Sequence, residues 1–167
     1  MAVTEVHREI LGIACIVVQT VVEDDGEAIE DSENWYAQDS EGNVWCFGRR
    51  SRKFEDGKVV NLDGSWTAGV DGAEPSMCMP ADPRAGDTFD EKLILGDGQR
   101  TIEVLDLTGS ETVPAVSCSD DCLITEDITF LDSAVIKTRY FTPGVGLILE
   151  VDPDTGERVE LVEVYAD

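Results

Sequence analysis

Few residues in this chain are of a type that does covalent chemistry, and their spacing narrows the choice further. The one histidine, His7, lies near the first residue, where chains tend to fray. A Ser–His or Cys–His nucleophile would have to use it, and there is no Gly-x-Ser-x-Gly elbow. Cys118-x-x-x-Cys122 has a spacing that zinc accepts, yet no second Cys or His pair follows. The plainer reading is a turn whose thiols help pack a sheet and whose Asp120 and Asp121 are solvated. Calcium suits Asp39-Ser40-Glu41-Gly42-Asn43 and Asp152-Pro153-Asp154-Thr155-Gly156-Glu157 better, because hard cations collect many oxygens. Neither segment completes a calcium-binding loop, and Asp, Asn and Gly are also what turns require, so both are read as hairpin turns. Gly144-x-Gly146 lacks the third glycine and following helix of a dinucleotide fingerprint, and no cofactor is expected. Among 36 Asp and Glu residues, no particular pair stands out for acid–base work.

The aromatic residues carry more information. Trp35, Tyr36, Trp45, Phe47 and Trp66 fall close together in the sequence. On adjacent antiparallel strands joined by a turn at Ser40 to Asn43, Trp35-Tyr36 and Trp45-Phe47 meet. They form either an aromatic core or the lining of a pocket in a curved sheet, with Arg139 and Tyr140 opposite. Trp35, Tyr36, Trp45, Trp66, Arg139 and Tyr140 are therefore the candidate ligand-binding residues, with none assigned to catalysis or to a metal. The single basic cluster, Arg49-Arg50-Ser51-Arg52-Lys53, is read as a strand edge whose charge discourages aggregation. Pairing with the chain's own carboxylates, or with an acidic partner, are the alternatives.

The elements that must position these residues are strands. Ile10 to Glu23 is apolar on both alternating faces and β-branched, which predicts a strand covered on both sides, bent near Gly12. Asp24-Asp25-Gly26 makes a turn after it. Glu41-Gly42-Asn43, Asp56-Gly57, Asp63-Gly64, Asp97-Gly98 and Thr155-Gly156 punctuate the rest. Between them lie strand-length runs at Trp35 to Gln38, Val44 to Phe47, Lys58 to Leu62, Thr101 to Leu107, Ala134 to Phe141, Gly146 to Val151 and Arg158 to Tyr165. Helical periodicity is nearly absent, with room for a short helical turn near Asp82 to Gly86 or Cys118 to Cys122. Thr67 to Gly86, rich in Gly and Pro, predicts a long loop crossing one end of the sheet and plugging its concave face.

At 167 residues with 42% apolar composition, one folded domain over residues 1–167 is expected. The fold class is all-β: one highly curved antiparallel sheet forming a partial barrel, or a β-sandwich. Five cysteines leave at least one unpaired; Cys15 and Cys46, set among apolar neighbours, read as buried small hydrophobes. A disulfide framework is not expected, with room for one bridge. Ile10 to Val22 is too short to span a bilayer as a helix, and no cleavage site follows it. The net charge of -24 repels phosphate backbones and anionic lipid headgroups, which excludes nucleic acid as a partner. It favours cations and basic proteins, so calcium or a basic protein joins an apolar small molecule or lipid among candidate partners. An acid-rich, Lys-poor surface also suits high-salt cytoplasm.

Asn34-Trp35-Tyr36-Ala37-Gln38-Asp39, Gly42-Asn43-Val44-Trp45 and Phe47-Gly48 resemble the signature of a group of uncharacterised, often secreted or lipoprotein-like bacterial proteins. Gly64-Ser65-Trp66, Met79-Pro80-Ala81 and Tyr140-Phe141-Thr142-Pro143-Gly144 are similar to it as well. The chain departs from the pattern at Cys46 and Cys118, and starts as though one or two leading strands were missing. The resemblance implies a curved antiparallel sheet with a concave binding face and an extracytoplasmic location. It implies no catalytic residue. The function expected is a non-catalytic binding protein with an aromatic-lined concave face for an apolar or amphipathic ligand. An acidic interaction module and a carboxylate-dependent enzyme are the alternatives.

Overall fold

The β-branched runs and glycine turns form strands throughout. A computed structural model describes residues 2–62, 64–92, 99–130 and 134–166, and among them there are fourteen strands, numbered β1 to β14 in chain order, and no helix. The strands form two open, essentially antiparallel sheets, and neither closes into a barrel. The backbone groups into two compact units, Met1–Ala81 with Tyr165–Asp167, and Asp82–Val164.

The first unit holds β1 (Ala2–Ile10), β2 (Ile13–Asp24), β3 (Glu27–Gln38), β4 (Val44–Glu55), β5 (Lys58–Asn61), β6 (Trp66–Thr67), β7 (Ser76–Met79) and the last strand, β14 (Tyr165–Ala166). The apolar run expected as one bent strand is a hairpin: Ile10 pairs with Ile13 across Leu11-Gly12. Nor is β2 covered on both sides, since Cys15 and Val17 are buried while Ala14 and Ile16 are exposed. Asp25-Gly26 and Asp56-Gly57 make the expected tight turns, each with both residues at positive φ, as the twist of paired strands demands.

β4 organises this sheet. One of its edges pairs with β3. The other receives three short strands in succession: β5 at Lys53–Glu55, β6 at Gly48–Arg49 and β7 at Val44–Cys46. Three expectations fail here. Thr67 to Gly86 is not a plug across the sheet's end, because its β7 is hydrogen-bonded to β4 and Cys78 is disulfide-bonded to Cys46, with Cα atoms 5.8 Å apart. Cys46 is thus not a lone buried hydrophobe. The basic cluster is not a strand edge either. It lies within β4, where Arg49, Arg50 and Arg52 pair with Glu30, Glu33 and Asp31 of β3.

The core of this unit gathers Ile10, Cys15, Val17, Trp35, Phe47 and Ala68, with Trp45 and Trp66 packed against it. Trp35 faces Gly48 at an irregularity in the β3–β4 ladder. Gly48 has φ 152, a conformation open chiefly to glycine. A Cβ there would stand 2.5 Å from Cε3 of Trp35 and 2.5 Å from the Trp66 carbonyl oxygen.

The second unit is a meander in which each strand pairs with the next: β8 (Thr88–Lys92), β9 (Gln99–Val113), β10 (Val116–Phe130), β11 (Ala134–Thr142), β12 (Gly146–Val151) and β13 (Arg158–Glu160). Its core is Val113, Cys118, Cys122, Ile148 and Leu149. The segment expected as a helical turn at Cys118 to Cys122 is an irregularity in β10, turned by Asp120 at φ 58 and closed by a second disulfide. Of the turns read from sequence, those at Asp63 and at Asp97-Gly98 lie outside the described residues.

Gly48→Ala is expected to lower stability by about 3 kcal/mol, the sum of a strained backbone and a displaced indole. Gly57→Ala, also at positive φ but with nothing near its added methyl, should cost only about 1 kcal/mol. Urea midpoints of the two variants check the difference; equal losses would refute the steric role of Trp35.

Candidate functional site

The β3–β4 turn is built around one carboxylate. Asp39 Oδ1 accepts hydrogen bonds from the backbone N–H groups of Glu41 and Asn43, both at 2.9 Å. Its Oδ2 accepts from Asn43 Nδ2 at 3.0 Å and from the Trp45 indole Nε1 at 2.9 Å. Four donors aimed at one carboxylate favour its charged form. The Trp45 indole first, then the Asn43 side chain, hold the Asp39 pKa down to about 2. Asn43 Oδ1 in turn accepts the Ala81 N–H at 2.9 Å, which pins the chain beyond β7 onto this turn. With its lone pairs engaged this way, the segment acts as a turn. Asp152 is arranged alike: Oδ1 accepts from Asp154 N and Thr155 N, and Oδ2 from Lys137 Nζ at 3.3 Å. Those bonds lower its pKa, the Thr155 N–H most of all.

Beside the first turn lies an open depression of about 630 Å³. Leu11 and Ile13 line it from the β1–β2 turn, Trp45 and Phe47 from β4, and Ala73 and Pro75 from the segment before β7. The polar members are Gln38, Asp39 and Glu74. Leu11 is unusual on two counts. It has φ 53, a left-handed conformation that costs a bulky residue about 1–2 kcal/mol, and it is 61% exposed. Its side chain rests over Gly69, where a Cβ would come within 2.6 Å of Leu11 Cδ2.

The six residues proposed from sequence divide. Trp45 lines the depression and Trp66 packs on the adjoining core. Trp35 is core, 2% exposed, with the Arg8 guanidinium 3.9 Å above its ring. Tyr36 is half-buried on β3, between Ile16 and Cys46. Arg139 and Tyr140 belong to the second unit, where Tyr140 packs on that unit's core. Arg139 pairs with Asp127 and donates from Nε to Glu150 at 2.9 Å. Sequence reading missed Leu11, Ile13, Ala73 and Pro75 as lining, and named Phe47 among the aromatic cluster without placing it in the candidate site. The available signal was Leu11 itself, an apolar residue at a turn position that normally takes Asn, Asp or Gly.

The remaining chemical candidates are engaged in structure. Asp127, 3% exposed, accepts from Thr125 Oγ1 at 2.9 Å and is flanked by Arg139 and Arg100, so its charge is neutralised within the sheet. Cys118 and Cys122 are bonded to each other, and Cys15 is a free, fully buried thiol. Among the described residues no cluster of three or more His, Cys, Asp or Glu side chains is placed to hold a metal ion, and no helix is long and apolar enough to cross a membrane. No protein-family model, no curated protein and no solved structure matches the chain.

The Asp39 turn makes a pH prediction. A carboxyl whose folded pKa is about 2, against about 3.9 when unfolded, binds more protons in the unfolded state. Its contribution is complete above about pH 4 and is lost as pH falls towards about 2. The Trp45 indole N–H resonance should titrate with that low midpoint. In Asp39→Asn, wild-type minus variant stability should shrink across that window. An indole resonance that titrates near pH 4 would refute the assignment.

Proposed function

We propose that this chain is a non-catalytic binding protein whose first unit takes an apolar or amphipathic ligand in the depression beside the β3–β4 turn. The observation that carries this reading is Leu11, a large apolar side chain held exposed in a strained turn conformation, next to Trp45 and Phe47. Folding alone favours Asn or Gly at such a position, and strain retained at an exposed site is a pointer to function. The depression has the size of a small-molecule site. Being open, it would cover only part of a ligand, so affinity on the order of 10 µM is expected. Glu74 at the rim and the net charge of -24 favour a ligand with a cationic head over an anionic one. Two disulfides support an oxidising, extracytoplasmic location, since such bonds persist where thiols are not kept reduced. That accords with the group of bacterial proteins the sequence resembles.

Tryptophan emission during titration with dodecyltrimethylammonium, kept below its micellar concentration, tests the reading. A saturable blue shift is expected, absent in Trp45→Phe and weaker with dodecyl sulfate. Leu11→Asn should weaken binding by roughly tenfold, the loss of part of one buried leucine. The same variant should stabilise the fold by about 1 kcal/mol through relief of turn strain. Absence of a saturable shift with both amphiphiles, or undiminished binding by Leu11→Asn, would refute the proposal.

A further inference from the structure

The two disulfides sit in different surroundings. Cys118 and Cys122 are buried, 3% and 0% exposed, inside the second unit's core. Cys46 and Cys78 are only half-buried. Cys46 lies between Trp45 and Phe47 on one side of the depression, and Cys78 is in β7, directly after the Ala73, Glu74 and Pro75 that form the other side. The bond therefore ties β7, which follows one wall, to β4, which carries the other. The ladder of β7 with β4 has three residue pairs and is broken by a register shift. Past it, Ala81 N–H meets Asn43 Oδ1.

We propose that Cys46–Cys78 is a reducible latch, opened by an external dithiol in preference to Cys118–Cys122, and that opening loosens β7 and the Glu74–Pro75 part of the wall, while Ala73 stays bonded to Gly69 and Val70. In the chemical step a thiolate of the dithiol attacks one sulfur of Cys46–Cys78. The protein S–S bond breaks, a mixed disulfide forms, and the released cysteine sulfur takes up a proton. The reductant's second thiol, deprotonated, attacks the mixed disulfide and displaces the other cysteine as a thiol. Two electrons pass to the protein, and the dithiol leaves as its own disulfide. Access of the attacking thiolate sets the preference, because exchange requires approach to sulfur. Cys15 stays outside this exchange: it is fully buried, and burial pushes its thiol pKa up, keeping it protonated. The effect of latch opening on ligand affinity rests on the binding function proposed above; latch opening itself does not.

The test treats the native protein with graded dithiothreitol, blocks exposed thiols with iodoacetamide and locates the label by peptide mass. Cys46 and Cys78 should be labelled at roughly tenfold lower reductant than Cys118 and Cys122. In that window, amide exchange over residues 74–79 should accelerate by roughly tenfold or more, while β9 and β10 keep their protection. Affinity for dodecyltrimethylammonium should fall about tenfold as the wall loses its preorganisation, and reoxidation should restore all three. The Cys46→Ser, Cys78→Ser double variant should copy the reduced state; if it does not fold, reversible reduction of the wild type carries the test. Labelling of Cys118 and Cys122 first, or unchanged exchange over 74–79 once Cys46 and Cys78 are reduced, would overturn the latch. An oxidised protein that ignores the amphiphile would overturn the ligand reading alone, with labelling and exchange still deciding the latch.

Discussion

The indole of Trp35 occupies the space where a side chain at position 48 would begin, and much of the first unit depends on that approach. With no Cβ at Gly48, the ring closes over β4 on one side and the Trp66 carbonyl reaches it on the other. Thr67 can then pair with Gly48, and Ala68 N–H with the Phe47 carbonyl at 2.9 Å. These contacts bring the chain after β6 back to β4, so that β7 can be laid along its first residues. The walls of the depression are thus a consequence of one missing methyl group deep in the sheet. The Gly48 φ of 152 and the irregular register beside it belong to the same feature, a bulge that re-aims side chains locally.

Charge is distributed on a second principle. Among the described residues, eight of the twelve basic side chains make ion pairs within the chain, and a ninth, Arg8, lies over Trp35. Exposed pairs such as those of Arg50 and Arg84 add little to stability. Their effect is on the surface that is left. With the cations turned to internal partners, the outward field is more uniformly negative than the net charge alone conveys, and it acts on whatever approaches. The depression interrupts that field with leucine, isoleucine, tryptophan and phenylalanine side chains. An apolar area set within an acidic surface selects for a molecule that is both apolar and cationic, which is why the two properties are coupled in the proposed ligand.

Strand type was legible in the sequence because it rests on local signals: β-branched runs, and Asp-Gly pairs that supply positive φ. Asp25-Gly26 and Asp56-Gly57 show both at work. What sequence hid was whatever depends on pairing partners. Val116–Phe130 became a fifteen-residue strand, although Asp120, Asp121, Glu126 and Asp127 dilute its apolar pattern; Arg139 and Arg100 supply the countercharge for Asp127, and both come from neighbouring strands. Ser76–Met79 looked like loop because a strand that short has no period of its own and takes its form from β4. The Cys46–Cys78 disulfide was missed for the same reason, since the two residues are 32 apart and only the β4–β7 register brings them together. Of the six candidate residues, Trp45 came from hairpin geometry and lines the depression, while Trp66 was placed by closeness in sequence and packs on the adjoining core. Arg139 and Tyr140 fall in the second unit, and no local signal tied them to the Trp45 hairpin.

Turn residues separate what folding requires from what it merely tolerates. Among the described residues, four of the five non-glycine residues at positive φ are aspartates, whose short polar side chains accept the left-handed region at little cost. The fifth is Leu11, which has neither a polar group to satisfy the turn nor a small Cβ environment to ease it. The β1–β2 hairpin would form with Asn at that position, and more favourably. The strain is tolerable because Gly69, itself at φ 85, leaves room for the leucine methyl groups. A bulky residue where a small one suffices, accommodated by a glycine some sixty residues away, means that two distant positions serve one exposed side chain. Burial does not account for that, since Leu11 stays mostly in water. An apolar contact completed by something outside the chain does account for it, and the depression beneath Leu11 is where that contact would be made.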